Sequence, residues 1–178
     1  MGSGASGKWI IDPLFGAYNL LCLLFGIGLL LFALGTPETN RRAIGLLGSV
    51  VLLFEGLFGF ATLFFPEDPA SSSITGIGIT HIVLAGLSSL ATIVAMLFTG
   101  LWLTADQKYK ALSRYSFISV GIVFIFGGIT AATGTMRSSI AGLLERVTIG
   151  GFIQWIFVIG LVLQSKSNSM EARTQNSR

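Results

Sequence analysis

The side chains with the most capacity for chemistry in this sequence are a few polar and ionisable residues inside long apolar runs. They are Asn19, Glu55, His81, Glu145 and Arg146. A histidine beside a carboxylate handles a proton, and an arginine attracts an anionic head group. Because an ionisable side chain inside a membrane costs about 2.5 to 3.5 kcal/mol on insertion scales, we expect each one to be paired or to face water.

A short acidic loop, "FFPEDPASS", precedes the histidine-containing run. Asp68 followed by Pro69 is typical of a helix N-cap with proline at the first helical position. The functional alternative is that Glu67 and Asp68 fold over the mouth of a cavity and hold a cation or His81. Neither acid lies within local helical reach of His81, so that contact would be tertiary.

Metal and cofactor sites are poorly supplied with ligands. One histidine, His81, and one cysteine, Cys22, exclude a typical zinc site and a haem held by two histidines, while a mixed site of His81 with carboxylates stays open. A serine or threonine, His81 and a glutamate could form a hydrolytic triad, but no nucleophile-elbow motif marks the serine. We therefore predict no metal and no cofactor, and favour a protein without catalytic activity.

The composition requires a membrane setting for these side chains. Hydrophobic residues make up 52% of the 178 residues and charged residues only 11%, against about a quarter in soluble domains. The apolar runs are continuous and about 20 residues long, which indicates membrane-spanning helices and not the alternating pattern of a barrel. The fold class is therefore all-α, an integral membrane helical bundle. No glycine-rich nucleotide motif occurs, and no nucleic-acid partner is expected.

Five spans can be drawn between polar connections. They cover residues 14–34, 43–65, 74–103, 115–133 and 140–164. Residues 1–13 form a polar extracytoplasmic head in this interpretation, 14–164 the five-helix transmembrane domain, and 165–178 a polar cytoplasmic tail whose composition predicts disorder.

Basic residues predict the orientation. One side carries Lys8 and Arg137, and the other carries Arg41, Arg42, Lys108, Lys110, Arg114, Lys166, Arg173 and Arg178. Lysine and arginine gather on the cytoplasmic side, so we expect a multi-pass protein of the plasma membrane with its N-terminus outside and its C-terminus in the cytoplasm. A six-helix parent with both ends cytoplasmic, lacking its first span here, would give the same pattern.

Small and polar residues recur at helical spacing and predict the faces on which the helices meet. The second span shows Gly45, Gly48, Leu52, Glu55, Gly59 and Thr62; the third shows Gly78, His81, Ala85, Ser88, Thr92, Ala95 and Thr99; the fifth shows Gly142, Arg146, Gly150 and Gln154. Asn19 marks the first. We expect His81 to point into protein, and the polar side chains to share the outer half of the bundle.

Three motifs together resemble a known family. "FFPEDP" ends one span, His81 enters the next, and "LLERVTIGGFIQW" opens the last. In order and placement these are similar to the prokaryotic polytopic membrane proteins catalogued as domain of unknown function 998. The resemblance covers about residues 18–164, with Pro66, Asp68, Pro69, His81 and Arg146 as the matching positions. It implies six spans, of which this chain lacks the first, and it implies no substrate or reaction.

The expected function follows from the layer of polar side chains. We predict an outer-facing polar intramembrane cavity that binds or passes a small amphiphile or an ion, with Asn19, Glu55, Asp68, His81, Glu145 and Arg146 as candidate ligand-binding or proton-handling residues. One alternative is a membrane-embedded hydrolase or lipid-modifying enzyme. Another is a structural or partner-binding subunit in which Arg146 only neutralises a glutamate. The expected partners are the lipid bilayer, an amphiphilic small molecule and a second copy of the chain.

Overall fold

The computed structural model describes residues 8–36, 41–68, 73–135 and 140–176. Within these ranges every regular element is helical, which confirms the all-α bundle. The five long helices are α1 (Lys8–Leu34), α2 (Arg42–Ala61), α3 (Gly76–Leu103), α4 (Lys110–Thr135) and α5 (Ala141–Asn176), and two 3-10 turns, Thr62–Phe64 and Gln107–Tyr109, extend α2 and precede α4. Each long helix is long and apolar enough to cross a membrane, so the chain is a multi-pass membrane protein.

Two helices extend beyond the predicted spans. Helix α1 already begins at Lys8, so the part of the predicted head that the structure describes is helical and includes Pro13. Helix α5 continues to Asn176, through the segment for which the composition predicts disorder. Lysine, methionine, glutamate and alanine in this segment are good helix formers, and adding a residue to an existing helix avoids the cost of nucleation.

Each helix packs against the next one in the chain, and α1 also contacts α5. The α1–α5 contact is aromatic: the rings of Tyr18 and Phe152 lie 6.5 Å apart, and those of Phe25 and Trp155 lie 6.2 Å apart, both edge to face. The order along the chain is therefore also the order around the bundle, with α2 between α1 and α3.

The small-residue faces lie where the spacing predicts for α2 and α3. All six residues of the α2 stripe are buried, and the α3 stripe faces them, with Thr99 packed against Gly48. On α5 the prediction fails within this chain: Arg146, Gly150 and Gln154 are exposed and not buried against another described helix, while the burial of Gly142 lies outside what the structure describes. Helix α5 instead buries the large side chains Phe152, Trp155, Ile159 and Leu163, because apolar bulk fills this part of the core.

Candidate functional site

The loop between α2 and α3 is held by His81. Its Nδ1 lies 2.7 Å from the carbonyl oxygen of Phe65, just after the 3-10 turn that ends α2. A carbonyl oxygen only accepts hydrogen bonds, so Nδ1 carries the proton and donates. Half-buried on the first turns of α3, the ring therefore joins the start of one span to the end of the preceding one.

Asp68 holds the other side of the same loop. Its Oδ2 accepts from the backbone N–H of Thr75 at 2.7 Å, and its Oδ1 accepts from the Thr75 hydroxyl at 2.8 Å. Thr75 is itself the N-cap of α3, accepting from the N–H of Gly78 at 3.2 Å. Asp68 thus acts on the helix start through Thr75, whereas Pro69 lies outside the described residues. A β-carbon at Gly78 would displace the Asp68 carboxylate, so glycine at this position leaves room for the contact between Asp68 and Thr75.

Glu55 lies deep in the bundle, where α1, α2 and α3 meet. Only 2% of the residue is exposed. Tyr18 and Cys22 of α1 and Ser88 of α3 lie next to its carboxyl group with side chains that can donate a hydrogen bond. Even so, among the described residues no donor completes a hydrogen bond to Oε2. A buried acceptor without a partner is costly, because it has lost the water that would otherwise bind it.

Asn19 presents a second such oxygen on the same α1–α2 contact. It is fully buried, and its Nδ2 donates to the carbonyl oxygen of Phe15 at 2.8 Å, which turns Oδ1 toward Gly59 of α2. Within the described part of the chain, Oδ1 has no hydrogen-bond donor. Gly59 follows Glu55 by four residues and therefore lies one turn along the same face. Asn19 and Glu55 thus each place a buried oxygen without a donor, among the described residues, on the α1–α2 contact, and Asn19 packs against α2 about one helical turn from Glu55.

The cationic candidate lies elsewhere. Arg146 is exposed on α5, and across the described residues it forms no ion pair with Glu55. The side chain of Glu145 lies outside the described residues. The structure therefore separates the candidates into Asn19 with Glu55 at the α1–α2 contact, Asp68 with His81 at the α2–α3 loop, and Arg146 on an exposed helix face.

Sequence reasoning missed the three neighbours of Glu55. Tyr18 and Cys22 are four residues apart and share a face of α1, but Cys22 by itself indicates only a small core side chain. Ser88 stood in the α3 stripe as an interface residue. The position of Ser88 in the α3 stripe was the signal that could have found it, because the stripe predicts a hydroxyl on the face of α3 that meets α2.

Among the grooves on the described surface are two that touch none of these residues. One, of about 210 Å³, lies between α4 and α5 and is lined by Tyr115, Ile118, Ser119, Ile122, Val147, Gly151 and Gln154. The other, of about 320 Å³, lies between α1 and α5 and is lined by Phe25, Gly28, Leu29, Phe32, Gly160, Leu163 and Gln164. Over the described ranges, no three His, Cys, Asp or Glu side chains come together as a metal site.

The family model described as "Protein of unknown function (DUF998)" matches residues 4–162. The chain belongs to this family. The match covers the whole of α1 to α4 and most of the spanning part of α5, and it includes Asn19, Glu55, Asp68, His81 and Arg146. No curated protein and no solved structure matches the chain.

Proposed function

We propose that this DUF998 protein binds or passes a small ion or a small amphiphile at a carboxyl site inside the membrane, with Glu55 at its centre. The observation that carries the proposal is the burial of Glu55 beside Tyr18, Cys22 and Ser88 with Oε2 left without a donor. An ionised carboxylate in this position has no cationic side chain against it among the described residues. Such a charge is expensive in a low-dielectric interior, so binding of a proton or a cationic group at Glu55 relieves a real cost.

We also propose an orientation of the chain in the membrane, which decides from which side Glu55 is reached. Basic residues concentrated in the loops after α1 and α3 and in the tail support a plasma-membrane protein with the N-terminus outside and the C-terminus in the cytoplasm. In this orientation the α2–α3 loop faces outward. Glu55 is then about 14 Å from the outer end of its helix, counted from Phe64 at about 1.5 Å per residue. A ligand would reach it from the outer half of the bundle.

The test is a Glu55→Gln variant, which keeps the size of the side chain and removes its charge. Thermal unfolding of the protein in nanodiscs would be followed at several pH values, with sodium and potassium chloride, and with short alkylammonium salts. We expect at least one of these to stabilise the parent and to have no effect on Glu55→Gln. Glu67→Gln, in the exposed loop, is the control and should respond like the parent. If every condition shifts the parent and Glu55→Gln equally, the proposal fails.

A second candidate function, partner binding within the membrane, is favoured by the exposed α5 face. Gln154 lies near the middle of the span from Arg146 to Ser165, yet it is exposed. An amide in hydrocarbon is stabilised when it bonds across a helix interface, and Gly150, with open space around it, would allow close approach. Disulfide cross-linking between copies of a Gln154→Cys variant tests this function. Absence of cross-linking at Gln154, together with absence at Ile153 on the same exposed side, would exclude a second copy there.

A further inference from the structure

We infer that the ligand at Glu55 is a single monovalent cation, a hydrated proton or a sodium-sized metal ion, held jointly by Oε2 of Glu55 and Oδ1 of Asn19. This inference rests on the proposed function and narrows it, from any small ion or amphiphile to one small cation. It also adds Asn19 as a ligand on the neighbouring helix.

The packing of α1 against α2 limits the size of the ligand. Helices α1 and α2 are in close contact on both sides of Glu55: a β-carbon at Gly56 would lie 2.8 Å from Cγ of Leu23, and one at Gly26 would lie 2.8 Å from Cδ2 of Leu53. Asn19 fills the position beside Gly59. The two grooves described above are bounded by α5 and lie away from this contact. Such close packing of α1 against α2 favours an ion or a water over the head group of a lipid-like molecule.

The atoms around Glu55 and Asn19 determine which type of ligand can bind. Carboxylate, amide and hydroxyl oxygens from Glu55, Asn19, Tyr18 and Ser88 are hard ligands, which suit alkali cations and protonated water. The Cys22 thiol is the one soft atom among these described neighbours of Glu55, and one thiol is fewer than soft metals usually take. Nδ2 of Asn19 is already used by Phe15, so the free atom is an acceptor. Two such acceptors on facing helices are satisfied by a proton, a hydrogen-bond donor or a cation, and not by an anion or another acceptor.

The net charge of the site determines the valence of the cation. When Glu55 is ionised it supplies one negative charge, and its neighbours Tyr18, Cys22, Ser88 and Asn19 are neutral, so one positive charge, from a proton or a monovalent metal ion, leaves the site neutral. A divalent cation would leave a net charge inside the membrane, where uncompensated charge is expensive. The site as built therefore selects for a monovalent cation.

The experiment measures equilibrium binding of radioactive sodium to the full chain in nanodiscs, together with the dependence of thermal unfolding on pH in choline chloride. The variants are Glu55→Gln and Asn19→Leu, which removes the amide oxygen at similar volume. Gln164→Leu, which removes an exposed amide from the α5 span, is the matched control. For a sodium site we expect saturable binding in the parent and in Gln164→Leu, and binding weaker by about tenfold or more in Asn19→Leu and Glu55→Gln. For a hydrated proton, sodium does not bind, but the pH-dependent shift in unfolding temperature is lost in the same two variants.

Asn19→Asp gives a second, gain-of-function readout should Asn19→Leu fail to fold. It adds a negative charge at the same site, so preference should move from sodium toward calcium. Three outcomes overturn the inference: cation binding unchanged in Asn19→Leu, calcium preferred over sodium by the parent, or no change in preference in a folded Asn19→Asp. If alkylammonium salts alone give a Glu55-dependent stabilisation, this inference fails and the proposed function stands. If no ligand gives a Glu55-dependent effect, both fail.

Discussion

His81 on α3 donates to the carbonyl oxygen of Phe65, across 2.7 Å, and so fastens the end of α2 to the start of the next span. The single histidine is therefore occupied through Nδ1 by a backbone contact, and the structure does not bring it to Glu55. Together with Asp68 at the same loop, it determines where two spans meet at the end of the bundle that we propose to face outward.

Replacing His81 should loosen this end of the bundle. In His81→Leu the carbonyl of Phe65 loses its donor, at a cost of about 1 kcal/mol in unfolding free energy. Hydrogen exchange should accelerate in residues 62–65, while the middle of α3 stays protected. Thr80→Val is the control, since among the described residues the Thr80 hydroxyl bonds to the carbonyl of Gly76 in its own helix. Equal exchange in parent and His81→Leu would show that the contact does not hold the loop.

Gly45 is expected to tolerate no side chain. A β-carbon there would lie 2.5 Å from Cδ2 of the buried Trp102, so Gly45→Ala must displace the indole, at about 1 to 3 kcal/mol. Gly86→Ala is the matched control, because nothing lies within 4 Å of its added carbon and alanine favours a helix. Thermal unfolding in detergent should show a lower midpoint for Gly45→Ala only. Similar midpoints would mean that α2 and α3 are less closely packed than described.

Ser116 is predicted to matter through one hydrogen bond. The indole Nε1 of the fully buried Trp155 donates to its hydroxyl at 3.0 Å, joining α5 to α4. Ser116→Ala leaves this donor buried without a partner, which costs about 1 to 3 kcal/mol. Ser119→Ala, one turn along α4, provides the comparison and should change stability little. Trp155 fluorescence should also change in Ser116→Ala alone, and an unchanged spectrum with unchanged stability would contradict the contact.

The orientation of the chain in the membrane can be determined by labelling introduced cysteines, because the native cysteine should not react. Cys22, the single cysteine, is 1% exposed and should not react with a membrane-impermeant maleimide. Ser73→Cys and Ala105→Cys place exposed thiols in the loops on opposite sides. We expect Ser73→Cys to label in intact cells and Ala105→Cys only after permeabilisation, as the basic residues predict. The reverse pattern would invert the proposed topology and move access to Glu55 to the cytoplasmic side.

How far the site could be predicted differs from residue to residue. Asn19 and Glu55 were identifiable because a polar side chain in a long apolar run must be accommodated by protein. It could not be predicted that both lie on the contact between α1 and α2, or that Tyr18 and Cys22 lie beside Glu55. Helical spacing identifies a face of one helix but not the helix that packs against it. Arg146 shows the same limit: its charge suggested a partner for a glutamate, but the rotation of α5 left it exposed.

The sequence by itself determined the membrane setting, the number of spans and the interface faces of α2 and α3. These depend on local quantities: the length of an apolar run against the thickness of a bilayer, and the repeat of small residues along one helix. Only the tertiary structure decided that Glu55 meets Tyr18, Cys22 and Ser88, that His81 binds the end of α2, and that α5 turns its large apolar side chains inward. Those outcomes depend on how neighbouring helices rotate to fill one core, which is a property of all five helices together.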